Sequence, residues 1–256
     1  MSRKAIFITI RKDSSRLPNK AVKTILGQPI MQLIVKRARL AKCFDDVIVC
    51  TTNRAVDDEV EQIAVQNGAK VFRGSLNDKL DRWNGAAQKY GIDYIVTFDG
   101  DDLFCDPDLL DMGANQIENR GLDFIEAPEG LICGAFTYAF TANALKKVCE
   151  IKASDDTEMM WTYFKDTGLF RCGVLEGVNG IYFASYRMTL DYQEDYMFFT
   201  KVFEHFKCAE NDVPLREIVE YIKENPKVAD INSFRQSDFL ENQRKKTKLI
   251  IKEELN

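Results

Sequence analysis

The chain has 256 residues, 45% hydrophobic and 29% charged, so it can bury a substantial core and lacks the composition of a disordered, collagen-like or coiled-coil protein. Its 40 acidic and 35 basic residues leave a net charge of −5, the wrong sign for non-specific binding to nucleic acid. No apolar run approaches the about 20 residues of a membrane-spanning helix. We therefore expect neither nucleic acid nor a membrane as a partner.

Cysteine and histidine usage restricts the chemistry. The seven cysteines include no Cys-x-x-Cys pair and form no closely spaced group of zinc ligands with the one histidine. This pattern favours a reduced, cytoplasmic protein without a disulfide framework. The first apolar run ends at Arg11 and is too short for the core of a secretion signal. The single histidine, His205, argues against a Ser-His-Asp triad.

The first hundred residues alternate short apolar runs with amphipathic segments. These patterns predict strands at 4–10, 46–52, 70–74 and 93–99, and helices within 29–43, 54–67 and 78–90. Apolar strands joined by helices are typical of a sheet that is covered on both faces. We therefore predict an α/β fold with a Rossmann-like, doubly wound, mainly parallel sheet. Its site is expected beyond the carboxyl ends of the strands.

The order of elements changes after Asp106-Pro107, which suits the start of a helix running to about residue 120. We expect the next two strands, 123–127 and 131–141, to form a hairpin extension of the sheet. The remaining predicted elements are helices at 141–152 and 156–165, a strand at 180–190, helices at 193–206 and 214–224, and an amphipathic tail at 235–253. No linker or repeat interrupts the chain, so we treat residues 1–256 as one domain with a helical tail over 233–256.

A basic loop, RKDSSRLPNK, follows the first predicted strand. Its candidate phosphate-binding residues are Arg11, Lys12, Ser14, Ser15, Arg16 and Lys20. Such donors at the carboxyl end of a leading strand suit the phosphate oxygens of a nucleotide. The loop has no glycine before Gly27, so it is neither a Walker loop nor a GxGxxG motif. From composition alone, a triphosphate site and a solvated basic loop are equally acceptable.

Two acidic groups also follow predicted strands. The first, Asp99, Asp101 and Asp102, brings together carboxylates that repel unless they are solvated or share a cation. Proteins hold Mg²⁺ with one or two carboxylates plus substrate phosphates, and the nearby basic loop favours that interpretation over a simple Asp-Gly turn. The second group opens a predicted helix, where N-capping explains acidic residues as well as a metal does. It consists of Asp191, Glu194 and Asp195.

Five segments, taken together, resemble the cytidylyltransferase family, which includes the CMP-Kdo and CMP-sialic acid synthetases and the spore-coat polysaccharide type. In chain order they are IRKDSSRLPNK, CTTN, FRGSLNDKLDRW, FDGDDLFCDP and MTLDYQEDY. The resemblance extends from about residue 4 to residue 206 and is strongest to the spore-coat type. It implies the fold of the nucleotide-diphospho-sugar transferases. It also implies a reaction in which CTP and an acceptor oxygen give a CMP-linked product and pyrophosphate.

The resemblance also implies roles for individual residues. Asp101 and Asp191 match the family's Mg²⁺ ligands, so Mg²⁺ is the expected cofactor. The catalytic residues that it implies are Arg11, Arg16, Lys20 and Asp101. The nucleotide contacts that it implies are Arg11, Ser14, Ser15, Arg16, Lys20, Thr52, Asn53, Arg73, Asp81, Arg82 and Asp99. The sequence departs from the family pattern at Ile10, where alanine is usual, and at Asp102-Leu103, where the pattern has a proline.

The acceptor is expected over the later part of the sheet, with Glu126, Tyr186 and Arg187 as candidate contacts, although aromatic side chains there are more often core. The family resemblance implies an acidic 2-keto sugar, similar to Kdo or a sialic acid, used for a surface glycan. It also implies a homodimer, to which the segment 123–141 could contribute instead of binding the acceptor. The alternatives are a sugar or polyol phosphate, a phosphonate, another nucleotide, or a nucleotide-binding module without catalysis.

Overall fold

The computed structural model describes residues 2–14 and 16–252. The strands are β1 (Lys4–Thr9), β2 (Thr24–Ile25), β3 (Gln28–Pro29), β4 (Asp46–Thr52), β5 (Lys70–Gly74), β6 (Tyr94–Asp99), β7 (Phe124–Glu126), β8 (Tyr138–Thr141) and β9 (Cys172–Val174). The helices are α1 (Ile30–Ala38), α2 (Asp58–Gln66), α3 (Lys79–Tyr90), α4 (Pro107–Asn119), α5 (Ala142–Ile151), α6 (Thr162–Lys165), α7 (Gln193–Phe206), α8 (Leu215–Glu224), α9 (Pro226–Ala229) and α10 (Arg235–Lys246). Within the described ranges, no helix combines the length and hydropathy that crossing a bilayer requires.

Seven strands form one sheet in the order β5-β4-β1-β6-β8-β7-β9. Strands β5, β4, β1 and β6 are parallel to one another, whereas β8 is antiparallel to both β6 and β7. Strands β7 and β9 pair in parallel. The prediction of an α/β fold with a mainly parallel sheet and a hairpin-like extension is therefore confirmed. The carboxyl ends of the four parallel strands lie along one edge, where a ligand site is expected.

The central strand β1 explains why the sheet is covered on both faces. Its side chains alternate between two core layers. Ile6 and Ile8 pack with α1, α2 and α4, whereas Ala5 and Phe7 pack with α3 and α5. All four are completely buried. Burial of each large side chain contributes about 2 kcal/mol. The apolar run that predicted this strand is therefore the part of the chain that joins both layers.

The predicted strand at 180–190 is wrong. Residues 180–182 form a short 3₁₀ turn, and the remainder makes only isolated bridges, one of them between Cys133 and Arg187. Its backbone bonds go to loops instead of a neighbouring strand, since the Met188 amide donates to the Cys133 carbonyl and the Leu190 amide to the Asp101 carbonyl. Met188 and Leu190 nevertheless join the main hydrophobic core and are completely buried.

Two other predicted elements are shorter than expected. The strand predicted at 131–141 begins only at Tyr138, because Gly134 takes a φ of +94° and a Cβ there would lie 2.1 Å from the Met188 carbonyl oxygen. The helix predicted at 156–165 is reduced to α6, since Thr157 instead binds the start of α3. The tail is helical over α10 and then extended, with a bridge between Ile251 and Lys152. Residues 253–256 lie outside the described ranges.

Candidate active site

The ends of the parallel strands β1 and β6 bring the basic loop and the first acidic group together around Lys20, and the segment before α7 adds Asp191. The Lys20 Nζ atom lies 3.2 Å from Oδ2 of Asp101 and 3.7 Å from Oδ1 of Asp191. It also donates to the Leu190 carbonyl at 2.8 Å. The Leu190 amide in turn donates to the Asp101 carbonyl at 2.7 Å, which joins the two acidic segments directly. Three predicted clusters from distant parts of the sequence therefore form one site.

A glycine permits this close approach. Gly100 follows β6, and its amide donates to the Thr9 carbonyl at the end of β1 at 2.9 Å. A Cβ at Gly100 would lie 2.6 Å from the Thr9 carbonyl oxygen and 2.5 Å from the Cβ of Ile10. The Asp-Gly turn and the acidic site are therefore not competing explanations, because the turn places Asp101 beside the basic loop.

Burial and charge oppose each other at this cluster. Burial lowers the pKa of Lys20, but Asp101 and Asp191 more than restore it, and the net shift is upward. Burial and the neighbouring carboxylates of Asp191 and Asp99 raise the pKa of Asp101, although Lys20 counteracts them. Burial also raises the pKa of Asp191, but Lys20, Arg16 and Arg187 outweigh it and lower the pKa overall. Lys20 and Asp191 therefore stay charged at neutral pH.

Asp191 is held from behind by a buried network. Arg187 donates through Nη2 to Oδ2 of Asp191 at 3.2 Å, and through Nε and Nη2 to the carboxylate of Asp195 at 2.8 and 3.0 Å. Asp195, which is 0% exposed, also accepts from the backbone amides of Asp191 and Tyr192 and from Asn232 Nδ2, each at 2.9 Å. Asp195, not Asp191, therefore accepts the amides at the start of α7.

This network changes the interpretation of Arg187. The predicted acceptor contact has a guanidinium that is 1% exposed and enclosed by Asp191, Asp195 and Gln236. Because the donors of Arg187 are already bonded within the protein, its guanidinium does not face an incoming molecule. We therefore revise the role of Arg187 from acceptor contact to positioning of Asp191. Tyr186 is half-buried against the core. Glu126 is paired with Lys165.

The basic loop carries two arginines besides Lys20, and only one of them contacts a carboxylate of the cluster. Arg16 pairs with Asp191, and its guanidinium carbon lies 5.5 Å from the ring centroid of Tyr192. Arg11 is half-buried and forms no ion pair with any residue in the described ranges. Ser14 is also half-buried, whereas Ser15 lies outside the described residues. Arg16 therefore lies at the acidic cluster, whereas Arg11 keeps a guanidinium without an ion pair among the described residues.

Three predicted nucleotide contacts, Thr52, Asn53 and Arg73, lie at the ends of β4 and β5. Thr52 is buried and its hydroxyl binds Asp57, which also accepts the Lys12 amide at 2.7 Å. Arg73 donates to the Thr52 carbonyl at 2.9 Å and pairs with acidic residues of α2. Asn53 is exposed and binds β5 through its backbone. Thr52 and Arg73 therefore hold the strand ends and the basic loop in place.

The two predicted residues on α3 also differ. Arg82 is buried and donates to the Ser75 carbonyl, so it fixes the turn before α3. Asp81 is exposed, and its amide donates at 3.1 Å to the side chain of Asp78, which caps the helix. Neither side chain lies within the Lys20 cluster. Their expected contacts with a nucleotide stay predictions.

Sequence reasoning missed Lys79. Its Nζ lies 3.2 Å from Oδ1 of Asp99 and 4.6 Å from the ring centroid of Trp83, whose Nε1 donates to the Thr9 hydroxyl at 2.7 Å. Lys79 thus adds a cation beside the acidic group. The i, i+4 spacing of Lys79 and Trp83 within FRGSLNDKLDRW was the available signal.

Comparison with known proteins places the chain in a family. Residues 5–247 match the family model for cytidylyltransferases. The chain belongs to the cytidylyltransferase family. The spore coat polysaccharide biosynthesis protein SpsF of Bacillus subtilis is 29% identical to this cytidylyltransferase over 233 residues, which cover 87% of this chain and 95% of that protein. The predicted family resemblance is confirmed, and the protein is a nucleotidyltransferase.

A relative that matches over a shorter stretch and a solved structure agree with this assignment. The 8-amino-3,8-dideoxy-manno-octulosonate cytidylyltransferase of Shewanella frigidimarina is 31% identical over 130 residues, 49% of this chain and 51% of that protein. The structure of a cytidylyltransferase from Leptospira borgpetersenii superposes with a TM-score of 0.81 at 28% identity, covering 90% of this chain and 97% of that one. The second comparison extends the similarity to nearly the whole fold.

The acidic residues of this cytidylyltransferase suit Mg²⁺ by their chemistry. Within residues 2–14 and 16–252, no group of three or more His, Cys, Asp or Glu side chains is placed to hold a metal ion. Mg²⁺ needs fewer protein ligands, because it keeps waters and takes oxygens from substrate phosphates. Asp101 and Asp191 offer such oxygens to a shared cation, Lys20. The two carboxylates therefore fit a magnesium ion that is completed by a substrate.

We expect Asp195→Asn to destabilise this cytidylyltransferase by about 3–5 kcal/mol, because it leaves the buried Arg187 without its main counter-charge. Urea unfolding measures this loss. Asp238→Asn is the matched control, since Asp238 forms a surface pair with Arg235 and its loss should change the free energy of unfolding by less than about 0.5 kcal/mol. Equal losses in the two variants would contradict the positioning role of Asp195.

We expect Gly100→Ala to lower both stability and activity, because the added methyl group meets the Thr9 carbonyl and must push Asp101 away from Lys20. The stability loss should be about 1–3 kcal/mol, measured by denaturant unfolding. Gly180→Ala is the control, since no atom lies within 4 Å of a Cβ at that position. An unchanged Gly100→Ala variant would show that the turn does not set the position of Asp101.

Proposed function

We propose that this cytidylyltransferase uses Mg²⁺ and CTP to transfer CMP to an acidic 2-keto sugar, with release of pyrophosphate, in the synthesis of a surface glycan. The observation that carries the proposal is the cluster of Lys20, Arg16, Asp101 and Asp191 at the carboxyl edge of the sheet, with Arg11 in the same basic loop. The names of the relatives support it, since one is a spore coat polysaccharide biosynthesis protein and another a cytidylyltransferase for an amino-octulosonate.

The side chains supply electrostatics and positioning, which is what phosphoryl-group transfer requires. In the proposed reaction, the acceptor hydroxyl loses its proton to solvent and its oxygen forms a bond to the α-phosphorus of CTP. The bond from that phosphorus to the bridging oxygen breaks, and the β- and γ-phosphates leave as pyrophosphate. Arg11, Arg16 and Lys20 hold the triphosphate and neutralise the departing pyrophosphate. Asp101 and Asp191 would hold Mg²⁺, which supplies further charge neutralisation when it is bound. No step needs a histidine.

The acceptor is proposed to bind over the later part of the sheet, next to the end of β7. Pairing through β8 aligns Glu126 with Thr97, because Tyr138 and Ala139 lie opposite Glu126 and Val96 respectively. Glu126 therefore lies near the same sheet edge as the acidic cluster, and its partner Lys165 supplies a cation that suits the carboxylate of a sugar acid. We retain Glu126 as an acceptor contact on this ground.

We expect Asp101→Asn and Asp191→Asn each to reduce pyrophosphate release by at least about 100-fold, because each removes a negative charge from the proposed metal site. The assay uses CTP, Mg²⁺ and a panel of 2-keto sugar acids. Asp230→Asn is the control, since Asp230 is an exposed carboxylate outside the cluster. Circular dichroism checks that the variants are folded. Full turnover in both variants would contradict the metal assignment.

We expect CTP with Mg²⁺ to raise the thermal unfolding midpoint more than UTP, GTP or ATP does. A ligand that binds only the folded state at 100 times its dissociation constant adds about 2.7 kcal/mol of stability. The test is a thermal-shift series with each nucleotide, with and without Mg²⁺. A larger shift with another nucleotide would overturn the choice of CTP, and no shift with any of them would overturn the proposed function.

A further inference from the structure

The carboxyl-terminal helix α10 begins beside the Asp191 network. Arg235 pairs with Glu194 through Nε and Nη2, at 3.1 and 2.8 Å. Gln236 accepts from Arg187 at 3.2 Å, and the Phe239 ring centroid lies 4.8 Å from the Arg187 guanidinium carbon. The start of the helix is therefore attached to the residues that position Asp191.

The other end of α10 is attached to the opposite side of the site. Lys246 Nζ lies 3.3 and 3.1 Å from the two carboxylate oxygens of Glu158. Glu158 follows Thr157, whose hydroxyl donates at 2.9 Å to Asp78 at the start of α3. Lys79, in the first turn of α3, reaches the acidic cluster. A helix of this length extends about 18 Å, so α10 connects the Asp191 side to the Lys79 side.

Glu158 adds a negative charge beside the start of α3, on the Lys79 side of the site. Burial raises its pKa, but Lys246 lowers it, and Arg11 and Lys79 add smaller effects in the same direction. Its side chain is 46% exposed and is therefore accessible to a neighbouring ligand. Without a counter-charge, Glu158 would repel a triphosphate and compete with it for Arg11 and Lys79.

We propose that Lys246 is a positioning residue for nucleotide binding, which neutralises Glu158 and so leaves Arg11 and Lys79 available to the triphosphate. The inference rests on the proposed function. It gives the tail a role that the sequence did not reveal. Helix α10 has no fully buried residue among its described positions, so its polar contacts hold it in place and Lys246 can be changed without opening the core.

The test is a double-mutant cycle on the full chain, with CTP affinity measured by calorimetry in Mg²⁺ and without acceptor. We expect Lys246→Met to weaken CTP binding by about fivefold, the range open to a partly exposed charge pair. Glu158→Gln should bind CTP at least as tightly as the unchanged chain. The Lys246→Met/Glu158→Gln double variant should match Glu158→Gln. With glutamine at position 158 there is no carboxylate that needs the Lys246 charge, so the methionine has no further effect.

Lys245→Met is the matched control. It removes the same charge from the same helix, but Lys245 pairs with Glu241 on the surface, so CTP affinity should not change. The inference is overturned if Lys246→Met binds CTP normally, or if the loss is as large in the Glu158→Gln background. An unchanged chain that binds none of the four nucleotides overturns the proposed function instead. Thermal unfolding of each variant separates loss of affinity from loss of fold.

Discussion

The Lys20 ammonium is the interaction on which the site depends. It lies between Asp101 and Asp191, two carboxylates from segments 90 residues apart in sequence, at 3.2 and 3.7 Å. Without a shared cation these carboxylates would repel each other, and burial would leave little water to screen that repulsion. Removing one member of a buried ion pair costs about 3–5 kcal/mol, because the charge left behind loses both its partner and its water. The same ammonium thus joins the loop after β1 to both acidic segments.

The sheet explains why this contact can form. Parallel pairing of β1 with β6 brings Thr9 opposite Asp99, so the loops that follow these strands start side by side. Gly100 then lets the second loop lie against the first without a Cβ between them. Asp191 arrives from a segment that is not a strand, and the bond from the Leu190 amide to the Asp101 carbonyl fixes it. Backbone geometry therefore determines where the site residues lie, and ion pairs between their side chains hold the loops together.

The sequence predicted those parts of the molecule that follow from local patterns. Apolar runs located β1, β4, β5 and β6, and the rule for parallel strand ends placed the basic loop and Asp101 together. The role of Arg187 could not be predicted, because it depends on Asn232 and Asp195, and nothing local in sequence links 187 to 232. The strand predicted at 180–190 does not form, for a related reason. Strand preference reflects packing against neighbouring strands, and here the neighbours are loops.

Charge pairing suggests how the site can accept a highly charged substrate without large rearrangement. Three carboxylates of the site already have a cation, since Lys20 serves Asp101, Lys79 serves Asp99, and Arg16 and Arg187 serve Asp191. In the proposed function, a triphosphate would pair with the cations Arg16 and Lys20, and Asp101 and Asp191 would hold a divalent ion. Binding then exchanges partners within a nearly neutral cluster, and the cost of bringing like charges together stays small. Arg187 is excepted because Asp195 keeps it in place, so Asp191 retains its position throughout the exchange.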